Sequence, residues 1–327
     1  MDLKWRKYRS YSGPVVNGTW EIEKPITRNH VDRAYWLTTM VESGGKLGAV
    51  MMADGTAVTI GLDQHVAVMP KLVDTTEQGG AWKLLRRLEI TEGPEDFKSA
   101  IQALWEELRD VGWYIAQDGS LRFADHYVDT LPEDGRVFCP GDLVPGRIVR
   151  EWLTPPMGVV PESGPFWESS ARFAKLFHDV TSHPASERAQ VEFGKEHLVE
   201  RTGRYGFILD RAYLDRNVSA VKVDQGGWTP ALDLALCMYQ SHMVNAPGIA
   251  KKQIEGLWRV WSPVTEPDDE FAKKLIFSLG NCSYGRWDDD IKHGRYQRTR
   301  SIAADSGLWP DGLFDGPDAI MPKDLPG

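Results

Sequence analysis

Apolar residues recur at three- and four-residue spacing between Asn29 and Glu42, and this spacing predicts an amphipathic helix. Its buried stripe consists of Val31, Ala34, Tyr35, Thr38 and Val41. Asn29 is suited to cap the start of this helix, because its side-chain oxygen can accept hydrogen bonds from the first backbone N–H groups. Gly44 and Gly45 are suited to end it, because glycine adopts the left-handed conformation without a Cβ penalty. The helix therefore ends on a carboxylic acid, Glu42.

After these glycines the pattern changes to short runs of β-forming residues. Two such runs flank the segment Ala53-Asp54-Gly55-Thr56, and Asp-Gly between apolar runs is a strong hairpin signal. We expect the return strand to carry Thr59 and to continue through Gln64 until Pro70 stops it. The chain is thus predicted to place a helix-terminal acid before a hairpin that carries a second acid.

The rest of the chain has a mostly helical pattern with one further hairpin. Residues 94–111 have an apolar face at helical spacing, and a turn signal at Gln117-Asp118-Gly119 joins two short apolar runs. Further helices are predicted at residues 166–180, 185–199, 232–243, 249–261 and 267–279. Residues 1–26 are predicted to form an irregular arm, and the proline-rich segment 125–165 is predicted to lack regular elements. The fold class that follows is α+β, mainly α-helical.

The composition excludes several classes of function. A net charge of −9 and a pI of about 5.5 argue against nucleic-acid binding, which requires a basic face. The three cysteines are widely spaced and form no Cys-x-x-Cys pair, which indicates free thiols in a reducing compartment. No motif for phosphate loops, dinucleotides, serine hydrolases or zinc proteases occurs. We expect no metal and no cofactor.

The start of the chain has no pattern of a signal peptide, and no apolar run is long enough to span a membrane. We expect the protein to be made in the cytoplasm, to lack a transmembrane segment and to be a monomer. If it acts on a cell wall, it must reach that wall by release or by delivery.

The segment from Glu42 to Gln64 resembles the lysozyme superfamily. Its phage-type members place a glutamate at a helix end, an aspartate in the following hairpin and a Thr-Ile-Gly segment on the return strand. Glu42, Asp54 and Thr59-Ile60-Gly61 match this order. The Glu-Ser-Gly start and the Gly-Leu-x-Gln strand are also similar to lytic transglycosylases and goose-type lysozymes, with Gln64 in the matching place. The resemblance implies a lysozyme-like fold of two lobes, with the hairpin next to the catalytic helix.

The resemblance also implies roles for these residues. Glu42 would protonate the glycosidic oxygen. An apolar surrounding and the negative end of the helix dipole both disfavour the charged form of a carboxylic acid, as a general acid requires. Asp54, or Asp63 in its place, would stabilise the oxocarbenium-like state or activate water, and Thr59 would position that water. The gap from Glu42 to Asp54 is longer than in compact phage lysozymes, so both aspartates stay open. The plain alternatives are an exposed last-turn glutamate and a turn-forming aspartate.

Other polar and aromatic residues are candidates for sugar binding. Sugar rings stack on Trp and Tyr, while charged and amide side chains bond the hydroxyl groups. The candidates are Asp63, Gln64, Gln240, His242, Trp287, Arg295, Tyr296 and Arg298. For the last four, a salt-bridged surface segment is the alternative interpretation.

Together these patterns predict one lysozyme-like catalytic domain over residues 1–327. A smaller lobe would carry the hairpin over residues 27–124, loops would link the lobes over residues 125–165, and a helical lobe would follow over residues 166–305. We expect the protein to be a peptidoglycan hydrolase of the muramidase type, acting as a phage endolysin or as a delivered lytic effector. It would cleave the β-1,4 bond of the wall glycan or of a related polysaccharide. The alternatives are a lytic transglycosylase, a chitosanase-like glycosidase, and a non-catalytic wall-binding virion protein.

Overall fold

The computed structural model describes residues 3–7, 12–18, 20–26, 29–52, 57–69, 78–129, 135–153, 165–205, 229–245, 272–274, 276 and 298–314. Over these residues the fold is α+β and mostly helical, as the sequence predicts. The chain forms two compact units with boundaries after Glu21, Gly44 and Phe193, and the last of these boundaries falls inside a helix. The first unit consists of Met1–Glu21 and Gly45–Phe193, and the second of Ile22–Gly44 and Gly194–Gly327. The lobe limits expected from the sequence stay a prediction.

The described helices are α1 (His30–Glu42), α2 (Gly80–Glu89), α3 (Glu95–Asp110), α4 (Gly146–Leu153), α5 (Pro165–Thr181), α6 (Glu187–Tyr205) and α7 (Pro230–Asn245). The described strands are β1 (Leu3–Lys7), β2 (Ser12–Val16), β3 (Trp20–Glu21), β4 (Lys46–Leu47), β5 (Val50–Met51), β6 (Thr59–Ile60), β7 (His65–Val66), β8 (Trp113–Ile115), β9 (Leu121–Phe123), β10 (Tyr127–Val128) and β11 (Val137–Phe138). Short 3-10 turns cover Pro184–Ser186 and Asp311–Leu313. No helix among the described residues is both long enough and apolar enough to cross a membrane.

The first unit contains an antiparallel five-stranded sheet in the order β1-β2-β5-β6-β7. A separate strand pair joins β3 to β4. The prediction of an irregular arm over residues 1–26 is therefore wrong. Its strands pair with one another and with β5 and β4, and such pairing between distant segments leaves little trace in local alternation.

The predicted hairpin after Gly45 is confirmed. Val50 lies opposite Ile60 and Met51 lies opposite Thr59, so β5 and β6 are antiparallel neighbours. The connecting residues 53–56, which include Asp54, lie outside the described residues. The return strand is shorter than predicted, because residues 61–64 form a turn before β7 begins.

A core of helices and the sheet fills the first unit. α3 is confirmed, with Phe97 and Leu104 fully buried, and the predicted hairpin of β8 and β9 follows it. α2 was not predicted, although its buried residues recur at helical spacing; they are Ala81, Trp82, Leu84, Leu85 and Leu88. The indole N–H of Trp82 donates to the carbonyl of Ala67 at 3.0 Å and so ties α2 to the chain beside β7.

The proline-rich segment 125–165 contains regular structure, contrary to the prediction. β10 pairs with β11, and α4 begins one residue after Pro145. Ile148, Val149 and Leu153 of α4 are fully buried. Prolines interrupt this segment, but the stretch 146–153 contains none, and its apolar residues recur at helical spacing.

The second unit is built on α1, α7 and the end of α6. The Oδ1 atom of Asn29 accepts from the N–H groups of Val31 and Asp32 at 2.8 and 3.4 Å, so the predicted N-cap is confirmed. The predicted single stripe of α1 is wrong, because its buried residues cover most of its circumference. They are His30, Ala34, Tyr35, Trp36, Leu37, Thr38, Thr39 and Val41. A Cβ atom on Gly194 of α6 would lie 2.2 Å from Cε2 of Tyr35, so glycine is required for this approach of α6 to α1.

Candidate functional site

Glu42 is the last residue of α1 and is half-buried. The cap residue Ser43 donates to the carbonyl of Thr39 through its N–H at 2.9 Å and its hydroxyl at 3.2 Å. Gly44 follows with a φ of 71°, in the left-handed region that glycine tolerates. The helix thus ends where the sequence predicts, and the carboxylic acid is its terminal side chain.

Arg298 lies at the same end of α1. Its Nη2 atom donates to the carbonyl of Met40 at 3.5 Å, and its side chain is exposed. A cation near the last carbonyls of a helix also interacts favourably with the negative end of the helix dipole. The second unit therefore brings two of the predicted site residues, Glu42 and Arg298, to one helix end.

Thr59 and Gln64 contact each other in the first unit. The Thr59 hydroxyl donates to Oε1 of Gln64 at 2.8 Å. The amide nitrogen of Gln64 donates to the carbonyls of Gly61 and Ala49 at 2.9 and 3.3 Å. These bonds hold Gln64 at a φ of 52°, a conformation that non-glycine residues adopt rarely. The predicted role of Gln64 in sugar binding stays a prediction, and the amide also closes the turn after β6.

Asp63 lies in the same turn and forms a buried pair with His65. Its Oδ1 atom is 2.7 Å from Nε2 of His65, and the two side chains are only 5% and 2% exposed. The His65 ring also packs edge-on against Phe193 with the centroids 4.7 Å apart. Asp63 is thus committed to an internal partner.

Two side chains from the helical part of the first unit bind the turn after β6 and the chain just before β5. Gln190 of α6 accepts from the Leu62 N–H at 3.2 Å and donates to the Thr181 carbonyl at 2.7 Å. Nδ1 of His178 in α5 lies 2.7 Å from the Gly48 carbonyl, to which it donates. Both side chains are buried. Gln190 therefore binds the turn that carries Asp63 and Gln64, and His178 binds the chain just before β5, the strand that pairs with Thr59.

α7 carries Gln240 and His242, two of the predicted sugar-binding residues. His242 is buried, and its Nδ1 atom lies 2.6 Å from the Met238 carbonyl of the same helix. Oε1 of Gln240 lies 3.0 Å from Nε2 of His30 at the start of α1. The amide of Gln240 therefore belongs to a polar cluster inside the second unit.

That cluster is buried and joins α1 to α7. Nδ1 of His30 lies 2.8 Å from Oδ1 of Asp233 and 3.5 Å from Sγ of Cys237. The other carboxylate oxygen of Asp233 accepts from Trp309 Nε1 at 2.6 Å and lies 3.1 Å from Nη2 of Arg33. Burial, followed by the charge of Asp233, raises the pKa of the Cys237 thiol well above its usual value.

The predicted site residues are divided between the two units. The first unit contains Thr59, Asp63 and Gln64, and the second contains Glu42, Gln240, His242 and Arg298. Those outside the described residues are Asp54, Trp287, Arg295 and Tyr296. The chain matches no known family model. Comparisons with curated proteins and with solved structures also found no match. The lysozyme resemblance of the segment 42–64 therefore stays a prediction.

Sequence reasoning missed the buried cluster of His30, Asp233 and Cys237. One signal was present, because Asp233 and Cys237 are four residues apart on a segment correctly predicted to be helical, which places them on one face. His30 gave no such signal, since it is far away along the chain.

Proposed function

We propose that the protein is a peptidoglycan hydrolase of the muramidase type, with Glu42 as the general acid. The observation that carries the proposal is the chain order of a helix ending on Glu42, a glycine turn, and an antiparallel hairpin with Thr59 on its return strand. This order is the one that the lysozyme resemblance of the sequence requires. In the reaction, Glu42 would give its proton to the leaving glycosidic oxygen as the β-1,4 bond breaks.

A second carboxylate would complete the chemistry by stabilising the oxocarbenium-like state or by activating the attacking water. The buried pair with His65 favours Asp54 over Asp63 for this role. A carboxylate that holds an internal partner would have to release that partner before it could face a sugar. Asp54 follows β5 in the hairpin connection, where the resemblance expects the second acid.

Thr59 would orient the water through a lone pair of its hydroxyl oxygen. Its hydroxyl proton is donated to Gln64, so the oxygen can accept a hydrogen bond from water. Gln64 would then act by fixing the rotamer of Thr59, in addition to any contact with sugar.

The experiment that tests the proposal is digestion of purified peptidoglycan by the wild-type chain and by Glu42→Gln. Products are identified by mass spectrometry. Loss of a general acid lowers the rate by about 10²- to 10⁴-fold. We expect wild type to release fragments with reducing muramic-acid ends and Glu42→Gln to release about 10²-fold fewer or none.

The matched control is Glu106→Gln on α3. Glu106 is exposed and accepts a hydrogen bond from Gln102 on the surface of α3, so the variant should digest as wild type does. Anhydro ends in the wild-type products would identify a lytic transglycosylase instead. Cleavage of chitosan and not of peptidoglycan would support the chitosanase-like alternative. Release of no glycan fragments by wild type from either polymer would refute both enzyme assignments and leave a binding protein.

A further inference from the structure

We propose that His30, Asp233 and Cys237 form a binding site for a divalent transition-metal ion, with Zn²⁺ as the expected occupant. One nitrogen, one oxygen and one sulfur atom of these residues lie within 4.8 Å of one another, and all three residues are buried. A nitrogen, a carboxylate oxygen and a thiolate are the donors that zinc takes in proteins. All three residues belong to the second unit.

His30 is oriented for ligation through Nδ1. With a metal on Nδ1 the ring proton would lie on Nε2, and the side-chain oxygen of Gln240, 3.0 Å from Nε2, can accept a hydrogen bond from it. The lone pair of Nδ1 is then directed toward Asp233 and Cys237. Metal-binding histidines usually donate their other ring N–H to an oxygen in this way.

Asp233 is held so that one carboxylate oxygen is left for a metal. Its Oδ2 atom accepts from the Trp309 indole N–H at 2.6 Å and lies 3.1 Å from the Arg33 guanidinium. These donors fix the carboxylate, and Oδ1 points to Nδ1 of His30 at 2.8 Å. The recorded contact of Arg33 is thus with Oδ2, whereas Oδ1 is the oxygen that faces His30.

Cys237 supplies the soft donor that selects the type of metal. It lies one helical turn after Asp233 on α7, so both side chains leave the helix on the same face. Thiolate ligation favours zinc and other transition metals over Mg²⁺ and Ca²⁺, which prefer oxygen ligands alone. Three protein ligands leave a fourth position of a tetrahedral site for water or another ligand.

The same residues do not fit a nucleophilic triad of cysteine, histidine and aspartate. Such a triad needs the nucleophile on one ring nitrogen and the carboxylate on the other. In this cluster both Asp233 and Cys237 face Nδ1 of His30, while Nε2 faces Gln240. The alternative to a metal site is a metal-free cluster, in which Nδ1–H of His30 donates a hydrogen bond to Asp233 and Cys237 is a neutral thiol beside them. Analysis of bound metal distinguishes the metal site from this metal-free cluster.

The test uses the full chain, purified with Zn²⁺ and dialysed into metal-free buffer, with bound metal measured by mass spectrometry. We expect one Zn²⁺ per chain, which a strong chelator removes. Co²⁺ added to the chelated protein should give the intense sulfur-to-cobalt absorption of thiolate ligation. Cys237→Ser should abolish this band, and Trp309→Phe, which removes one donor to Asp233, should weaken Co²⁺ affinity by about 10- to 100-fold.

The control variant is Cys139→Ser combined with Cys282→Ser, which leaves Cys237 as the sole cysteine of the chain. A thiolate–cobalt band that persists in this variant must come from Cys237, even if Cys237→Ser fails to fold. The proposal is overturned if wild type holds no Zn²⁺ and gives no cobalt band. It is also overturned if the band is lost when Cys237 is the sole cysteine in a folded chain.

Discussion

Replacing Gln190 by leucine should loosen the turn that carries Asp63 and Gln64. Gln190 is buried, accepts from the Leu62 N–H at 3.2 Å, and donates to the Thr181 carbonyl and the Ser186 hydroxyl at 2.7 and 2.8 Å. Leucine has a similar volume but makes none of these bonds. The substitution therefore tests hydrogen bonding with little change in packing.

The size of the effect follows from the hydrogen bonds that the substitution removes. The Thr181 carbonyl and the Ser186 hydroxyl keep their bond to each other at 3.0 Å. The Leu62 N–H loses its hydrogen bond to Gln190, and the Gln190 nitrogen loses its two bonds. Each lost bond costs about 0.5–1.5 kcal/mol, and the gain from burying leucine partly offsets the sum. We expect a loss of about 1–3 kcal/mol.

Hydrogen exchange of the backbone amides measures this loss where it occurs. At about 1.4 kcal/mol for each factor of ten, protection of the Leu62 amide should fall by about 5- to 140-fold. Gln102→Leu is the control, because Gln102 is exposed and bonds to Glu106 on the surface of α3. If the Leu62 amide exchanges at the same rate in Gln190→Leu, Gln102→Leu and wild type, the Gln190 side chain does not hold the turn and the reasoning fails.

Two further predictions concern backbone conformation and pH. Gly48→Ala should destabilise the chain more than Gly44→Ala: both glycines have a φ above 70°, but a Cβ at Gly48 would lie 2.4 Å from Cβ of Ser182, whereas at Gly44 nothing lies within 4 Å. The difference between the thermal unfolding midpoints of the two variants measures the steric contact, because both variants share the cost of a positive φ. Equal midpoints would contradict the predicted contact with Ser182. The hydrogen bonds from Ser120, then Arg122, lower the pKa of Asp118 to about 2, so its contribution to the β8–β9 hairpin should be present above pH 3.8 and lost as the pH falls toward 2. Asp118→Asn should remove this acid dependence of amide exchange in the hairpin, and an unchanged profile would exclude Asp118 as its source.

The ends of α1 could be predicted because their signals are local. Asn29 caps the helix with its own side chain, and Gly44 and Gly45 both adopt positive φ where the helix ends. Burial on most sides of the helix could not be predicted in the same way. It depends on Gly194 of α6 and on α7, which are brought to α1 by the fold rather than by the sequence near it.

The geometry after β6 shows why part of the site was beyond sequence reasoning. The resemblance to a Gly-Leu-x-Gln strand predicts that Gly61 to Gln64 continue the return strand, but these residues form a turn, with Gln64 at a positive φ. The turn is held by the Gln64 amide and by Gln190, which is distant along the chain. Gly and Asp are uncommon in strands and so permit a turn, but the conformation of Gln64 depends on these hydrogen bonds.

The proposed metal site and the proposed general acid lie at opposite ends of α1. His30 is the first residue of this 13-residue helix and Glu42 is the last, so they are about 18 Å apart along its axis at 1.5 Å per residue. A metal bound at His30 would stabilise the folded second unit by mass action, but at that distance it would not take part in proton transfer at Glu42. If the protein binds no metal but cleaves glycan, the metal site is refuted and the role of Glu42 is not affected. If Glu42→Gln still binds metal but no longer cleaves glycan, both proposals are supported, so the two proposals can fail separately.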